Sequence, residues 1–133
     1  IAAASRAQLH EHINHLPKAY QTLIGERGLA LSGGQRQRLN ISRSIILNTK
    51  ILIFDDSTSA IDAATEQKIR LGLKEGARDR ITLIVSHRLA ALMHADQIIY
   101  LEDGKITEQG THEELIQQGG HYSRIYHLQT KIT

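Results

Sequence analysis

Three places in this chain carry residue types that could do chemistry together. The first is Leu31-Ser32-Gly33-Gly34-Gln35, continued at once by Arg36-Gln37-Arg38-Leu39. Adjacent glycines remove two Cβ atoms, so the backbone there can lie against something bulky. Ser32 is a good N-cap, and the residues from Gln35 to about Leu47 read as a helix. A helix N-terminus offers free N–H groups and the positive end of the peptide dipoles, which suits a phosphate. The same pattern also serves as a plain loop-to-helix cap. The second place is Asp55-Asp56, closing the apolar run Ile51-Leu52-Ile53-Phe54. An Asp ending such a strand can hold Mg²⁺, directly or through water, because this ion takes oxygen ligands and keeps much of its water. Asp56 can then point at a water attacking a phosphate. The alternative is a strand-end turn with solvated acids. The third place is His87, in Ser86-His87-Arg88 just past the apolar run Ile81-Thr82-Leu83-Ile84-Val85. It can contact the same phosphate or serve as a structural histidine.

These residues need elements to position them. Residues 1 to about 16 read as helical, rich in Ala, until Pro17 ends or kinks the segment. His10, His12 and His15 read as a solvated helix face, since no Cys or carboxylate arrangement completes a metal site with them. Tyr20 to Ala30 reads as a loop. The runs 51–54 and 81–85 suit strands buried on both faces, as in a parallel sheet, and an open α/β sheet places its chemistry at the carboxyl ends of its strands. Asp62 to about Glu75 reads as a helix with Ile69 and Leu73 on one face, punctuated by Gly76. A short helix over about Leu89 to His94 leads to a third strand, Gln97 to Leu101. Asp103-Gly104 is a hairpin turn signal before an edge strand, Lys105 to Glu108. Thr111, with Glu114 three residues on, forms a capping-box pattern. A last amphipathic helix carries Tyr122, Ile125, Tyr126 and Leu128. Strands alternating with helices give an α/β fold class.

The bulk properties set limits. The chain has 133 residues, 41% hydrophobic and 23% charged, with net charge +2 and both signs interspersed. That is enough for one domain with a core, and it holds no basic tract for nucleic acid. Cysteine is absent, which excludes disulfides and cysteine-ligated metal and fits a reducing compartment. No apolar run approaches the roughly 18 residues of a membrane span. The start at Ile1, without Met or a signal-peptide pattern, suggests a fragment of something longer.

Taken together, these motifs resemble the ATP-binding-cassette family, in particular the nucleotide-binding domains of exporters. Leu31 to Gln35 is similar to the signature motif, Ile51 to Asp55 to the Walker B strand, Ser59-Ala60-Ile61-Asp62 to the D-loop, and Ser86-His87-Arg88 to the switch-histidine loop. Gly25-Glu26-Arg27-Gly28 resembles the exporter X-loop, and Glu102 to Ile106 with Gly110 to Leu115 resembles the family's C-terminal stretch. The resemblance implies a P-loop NTPase-like (RecA-like) α/β core. Residues 1–30 would be a remnant of the helical subdomain with the X-loop, and 31–133 the C-terminal part of the ATPase core.

Two departures qualify it. No G-x-x-x-x-G-K-[ST] occurs; the one Gly-Lys pair, Gly104-Lys105, is followed by Ile106. These 133 residues alone are therefore expected to be inactive as an ATPase. The residue after the Walker B aspartate, usually Glu in active cassettes of this family, is Asp56. A carboxylate one methylene shorter sits about 1 Å back from the water, a displacement that can cost on the order of a hundredfold in rate. The resemblance therefore implies a degenerate, slow site.

The family mechanism implies roles residue by residue. Two cassettes, in a homo- or heterodimer, close head to tail on two ATP molecules. Leu31, Ser32, Gly33, Gly34 and Gln35 would complete the ATP site of the partner cassette, with Asp62 acting across the interface. Asp55 would serve the Mg²⁺ of the chain's own ATP, Asp56 would orient the water, and His87 would contact the γ-phosphate. The implied partners are a second nucleotide-binding domain and the transmembrane domains of an exporter, without nucleic acid, on the cytoplasmic side of the cell membrane. A competing reading is the head of a chromosome-maintenance or DNA-repair ATPase, which shares the signature, Walker B and D-loop. Against it stand the absence of heptads at the start of the chain and the X-loop match. A third reading, a regulatory binding half, follows from Asp56.

Overall fold

The computed structural model describes residues 1–24, 31–56, 58–75 and 80–131, in two compact units, Ile1–Val85 and Ser86–Thr133. The X-loop-like stretch at 25–28 and the Gly76 helix stop lie outside the described residues.

The first unit opens with two short helices where one was expected: α1 (Ala2–Arg6) and α2 (His10–Asn14). The break falls at Gln8, which takes φ 55°, a region non-glycine residues seldom occupy. A continuous helix would turn Leu9 about 140° away from Ala4. The break lets Ala4, Ala7 and Leu9 all become buried. The histidines here are engaged rather than merely solvated. His10 Nδ1 pairs with the Tyr20 hydroxyl at 2.8 Å, His15 Nδ1 donates to the Glu11 carbonyl at 2.6 Å, and His12 Nδ1 accepts from Gln35 Nε2 at 3.3 Å.

Helix α3 (Gly33–Ile46) starts two residues before Gln35, because Ser32 caps it there. Strands β1 (Ile51–Asp55) and β2 (Ile81–Val85) pair in parallel, from Ile51 opposite Ile81 to Asp55 opposite Val85. Helix α4 (Ala63–Glu75) lies between them in sequence. Ala7, Ile41, Ile45, Leu52, Phe54, Ile61, Ile69 and Leu73 make the core of this unit.

The strands are not buried on both faces as the sequence suggested. Leu52 and Phe54 point into the core, but Ile51, Ile53, Ile81, Leu83 and Val85 are 57, 59, 67, 48 and 49% exposed. In a parallel sheet successive side chains alternate between faces, and each face needs its own covering layer. Helical side chains at 41, 45, 69 and 73 supply one layer. Among the described residues no second layer covers the other face.

The second unit runs α5 (Leu89–Leu92), β3 (Ile98–Glu102), β4 (Lys105–Gly110), α6 (His112–Gln118) and α7 (His121–Thr130). Asp103 and Gly104 have φ 49° and 75°, the two positive values that a type I′ hairpin turn requires. Among the described residues β3 and β4 pair only with each other, so the hairpin is a sheet of its own. Thr111 and Glu114 form the expected capping box, with Thr111 N–H donating to Glu114 Oε2 at 2.8 Å and Glu114 N–H to Thr111 Oγ1 at 3.3 Å. Glu108 of β4 accepts from the N–H groups of His121 and Tyr122, which fixes the start of α7 and places a carboxylate at the positive end of its dipole. Leu89, Ile98, Leu115 and Tyr122 form the core.

Candidate functional site

At the start of α3, Ser32 Oγ accepts from Gln35 N–H at 3.2 Å and Gln35 Oε1 accepts from Ser32 N–H at 2.8 Å. This reciprocal box satisfies two donors and leaves the N–H groups of Gly33 and Gly34 as the first-turn donors it does not engage. Leu31 is buried, and Arg36 Nη1 donates to its carbonyl at 2.8 Å. Arg38 Nη1 reaches the Gln8 carbonyl at 2.6 Å. The bulky neighbour of the glycines is this chain's own loop. A Cβ at Gly34 would lie 2.7 Å from the Ala60 carbonyl oxygen, and one at Gly33 would lie 3.4 Å from Ala60 Cβ.

Gln37, which sequence reasoning passed over, holds that loop. Its Nε2 donates to Ser59 Oγ at 2.9 Å and its Oε1 accepts from Ala60 N–H at 2.8 Å. No local signal marks Gln37, because its partners are 22 and 23 residues away. At the far end of the loop, Asp62 caps α4: its Oδ1 accepts from Thr65 N–H at 2.9 Å, and Glu66 N–H donates to the Asp62 carbonyl at 2.9 Å. The Thr65 backbone hydrogen bond is the main cause that holds the exposed Asp62 carboxyl below its ordinary pKa. Thr58 Oγ1 donates at 2.8 Å to the buried Glu66 carboxylate. The structure thus brings the 31–35 turn and the 58–62 loop together on one scaffold.

Asp55 is exposed at the carboxyl end of β1, opposite Val85. Asp56 extends the ladder by one bond, its N–H donating to the Val85 carbonyl at 2.9 Å. It then turns the chain out of the strand with φ 44°, a conformation that Asp tolerates better than most residues. Its carbonyl accepts from Ser59 N–H at 3.2 Å. Among the described residues no group of three His, Cys, Asp or Glu could hold a metal by itself. One exposed carboxylate at a strand end fits Mg²⁺, which commonly binds through one or two carboxylates plus water and phosphate oxygens. His87 belongs to the second unit, exposed in the turn before α5, where Ser86 Oγ accepts from Arg88 N–H at 3.1 Å. No helix among the described residues is long and apolar enough to cross a membrane.

The family model for ABC transporters matches residues 3–59. An uncharacterized ABC transporter ATP-binding protein of Bacillus subtilis, YknU, is 54% identical over 129 residues, covering 97% of this chain and 22% of that protein. The ATP-dependent lipid A-core flippase of Legionella pneumophila is 46% identical over 129 residues, with 97% of this chain and 22% of the flippase covered. Among solved structures, a bacterial Atm1-family ABC exporter with ATP bound superposes with a TM-score of 0.90 at 41% identity, covering 96% of this chain and 22% of that chain. The chain thus spans about a fifth of the length of these relatives. Its mixed α/β fold, with a parallel strand pair flanked by helices, is that of an ABC exporter nucleotide-binding domain. By these matches the chain is a relative of the ATP-binding proteins of ABC transporters.

Proposed function

We propose that this chain is the C-terminal part of an ATP-binding and hydrolysing domain that powers an exporter, and that its signature motif completes the ATP site of a partner cassette. The observation that carries the reading is the 0.90 TM-score, at 41% identity, to an exporter solved with ATP bound. The capped turn at Ser32 supports the signature's role. Its Gly33 and Gly34 N–H groups lie outside the reciprocal Ser32–Gln35 box, and helix N-termini favour anions.

ATP supplies the transferable γ-phosphate, with Mg²⁺ neutralising charge on it. The chain's own residues bind and orient. Asp55 would hold the metal bound with this chain's own nucleotide. Asp56 would position a water, His87 would contact the γ-phosphate, and Asp62 would act across the interface. Leu31 to Gln35 would meet the nucleotide of the partner. The shorter carboxylate of Asp56 makes the chain's own site slow. Electrostatic cradling of the β- and γ-phosphates by a P-loop is absent from these 133 residues, so by themselves they do not turn over ATP. Mg²⁺-dependent hydrolysis by the purified chain would contradict this. The parent protein would carry the domain on the cytoplasmic side of a membrane, attached to the transmembrane domains of the exporter and paired with a second cassette. The alternative, a chromosome-maintenance or DNA-repair head, gains no support from relatives named as transporters.

The experiment is a cis–trans comparison in full-length dimers of defined composition. Gly34→Glu and Asp55→Asn placed in one chain should damage both composite sites. Placed in opposite chains they should damage the same site twice and leave the other working. Equal losses in the two arrangements would overturn the reading.

A further inference from the structure

We propose that Gln129, near the end of α7, is a positioning residue for His87. Its Oε1 accepts from Leu89 N–H at 3.0 Å and its Nε2 donates to the His87 carbonyl at 2.7 Å. Both partners are backbone groups of fixed polarity, so only one orientation of the amide serves both. The two bonds bracket Arg88 and close the histidine turn from outside, from 40 and 42 residues further along the chain.

The turn needs this support. Leu89 N–H is a first-turn donor of α5, and such donors have no partner within their own helix. Arg88, in the N-cap position, provides no side-chain cap. Gln129 supplies the acceptor instead, as an N-cap borrowed from another helix. On the near side, Ser86 Oγ accepts from Arg88 N–H. Below, the Leu89 side chain is 6% exposed and packs with Ile98, Leu115 and Tyr122. Glu108 anchors the first turn of α7 through His121 and Tyr122, so the helix that carries Gln129 is itself fixed at its start. The backbone from which the His87 imidazole projects is therefore set by α7.

This inference rests on the reading of His87 as a γ-phosphate contact, and the test separates the two. In the full-length protein, Gln129→Met removes both hydrogen bonds, Gln129→Glu keeps an acceptor for Leu89 N–H but loses the donor to His87, and His87→Ala removes the imidazole. Amide exchange of Leu89 should rise in Gln129→Met and stay close to wild type in Gln129→Glu. Single-turnover release of the γ-phosphate should slow by about tenfold in both, with the KM for MgATP little changed, because displaced catalytic groups lose rate before they lose binding. Unchanged Leu89 exchange in Gln129→Met would overturn the clamp. Unchanged turnover in both Gln129 variants, where His87→Ala abolishes it, would overturn the positioning role. Normal turnover in His87→Ala would overturn the reading of His87 and the positioning role with it, while Leu89 exchange still reports on the clamp. If Gln129→Met does not fold, Gln129→Glu carries the turnover test alone.

Discussion

Gly34 faces Ala60 so closely that a Cβ at Gly34 would stand 2.7 Å from the Ala60 carbonyl oxygen. The neighbour is backbone and cannot rotate aside. Overpacking of this kind costs about 1–3 kcal/mol, whereas replacing glycine by alanine within a helix gains at most about 1 kcal/mol. Gly34→Ala should therefore destabilise the fold by about 1 kcal/mol. Gly33→Ala, whose Cβ would meet Ala60 Cβ at 3.4 Å, should be neutral. Urea denaturation of the two variants, side by side, decides the matter; equal midpoints would mean the 58–62 loop yields freely.

Gln37 ties α3 to the same loop with both ends of its amide. Gln37→Leu keeps the size of the side chain and removes both hydrogen bonds, at a cost of about 1–2 kcal/mol. Amide exchange at Ala60 should accelerate more than exchange within α3. Exchange that rose equally along α3 would instead indicate loss of the helix.

Asp62 gives a pH dependence with a definite sign. Its folded-state pKa is lowered, chiefly by the Thr65 N–H hydrogen bond. A depressed carboxyl stabilises the fold at pH above its unfolded value, about 3.9. That contribution is lost as pH falls through the lower, folded-state value. Asp62→Asn should flatten the acid limb of the stability profile and leave the profile at pH 7 to 9 unchanged in shape. An NMR titration placing the Asp62 carboxyl at or above its ordinary value would contradict this.

Asp56 leaves β1 with its N–H bonded to Val85 and its φ at 44°. Asp56→Glu in the full-length protein lengthens the carboxylate by one methylene without removing that main-chain bond. Steady-state ATPase activity should rise, by up to roughly a hundredfold if reach alone limits the reaction. A rate that stays level or falls would show that something other than reach sets turnover.

The features legible in the sequence are those closed within a few residues. Ser32 as a cap, the Thr111–Glu114 box and the Asp103-Gly104 turn each follow from partners at most three positions apart, so side-chain chemistry alone specifies them. The apolar runs at 51–54 and 81–85 likewise declared their strands, and the order of the motifs declared the family. Tertiary structure decided what those elements meet. It left Ile51, Ile53, Ile81, Leu83 and Val85 exposed on one face, because composition records that a strand can be covered and not whether a covering layer is present. It broke the first helix at Gln8 so that Ala4, Ala7 and Leu9 could all be buried. It also made Gln37 a clamp on Ser59 and Ala60, and Gln129 a clamp on His87 and Leu89. A glutamine amide carries a donor and an acceptor wherever it stands. Which groups it serves is set only when folding closes the 22 to 42 residues between them.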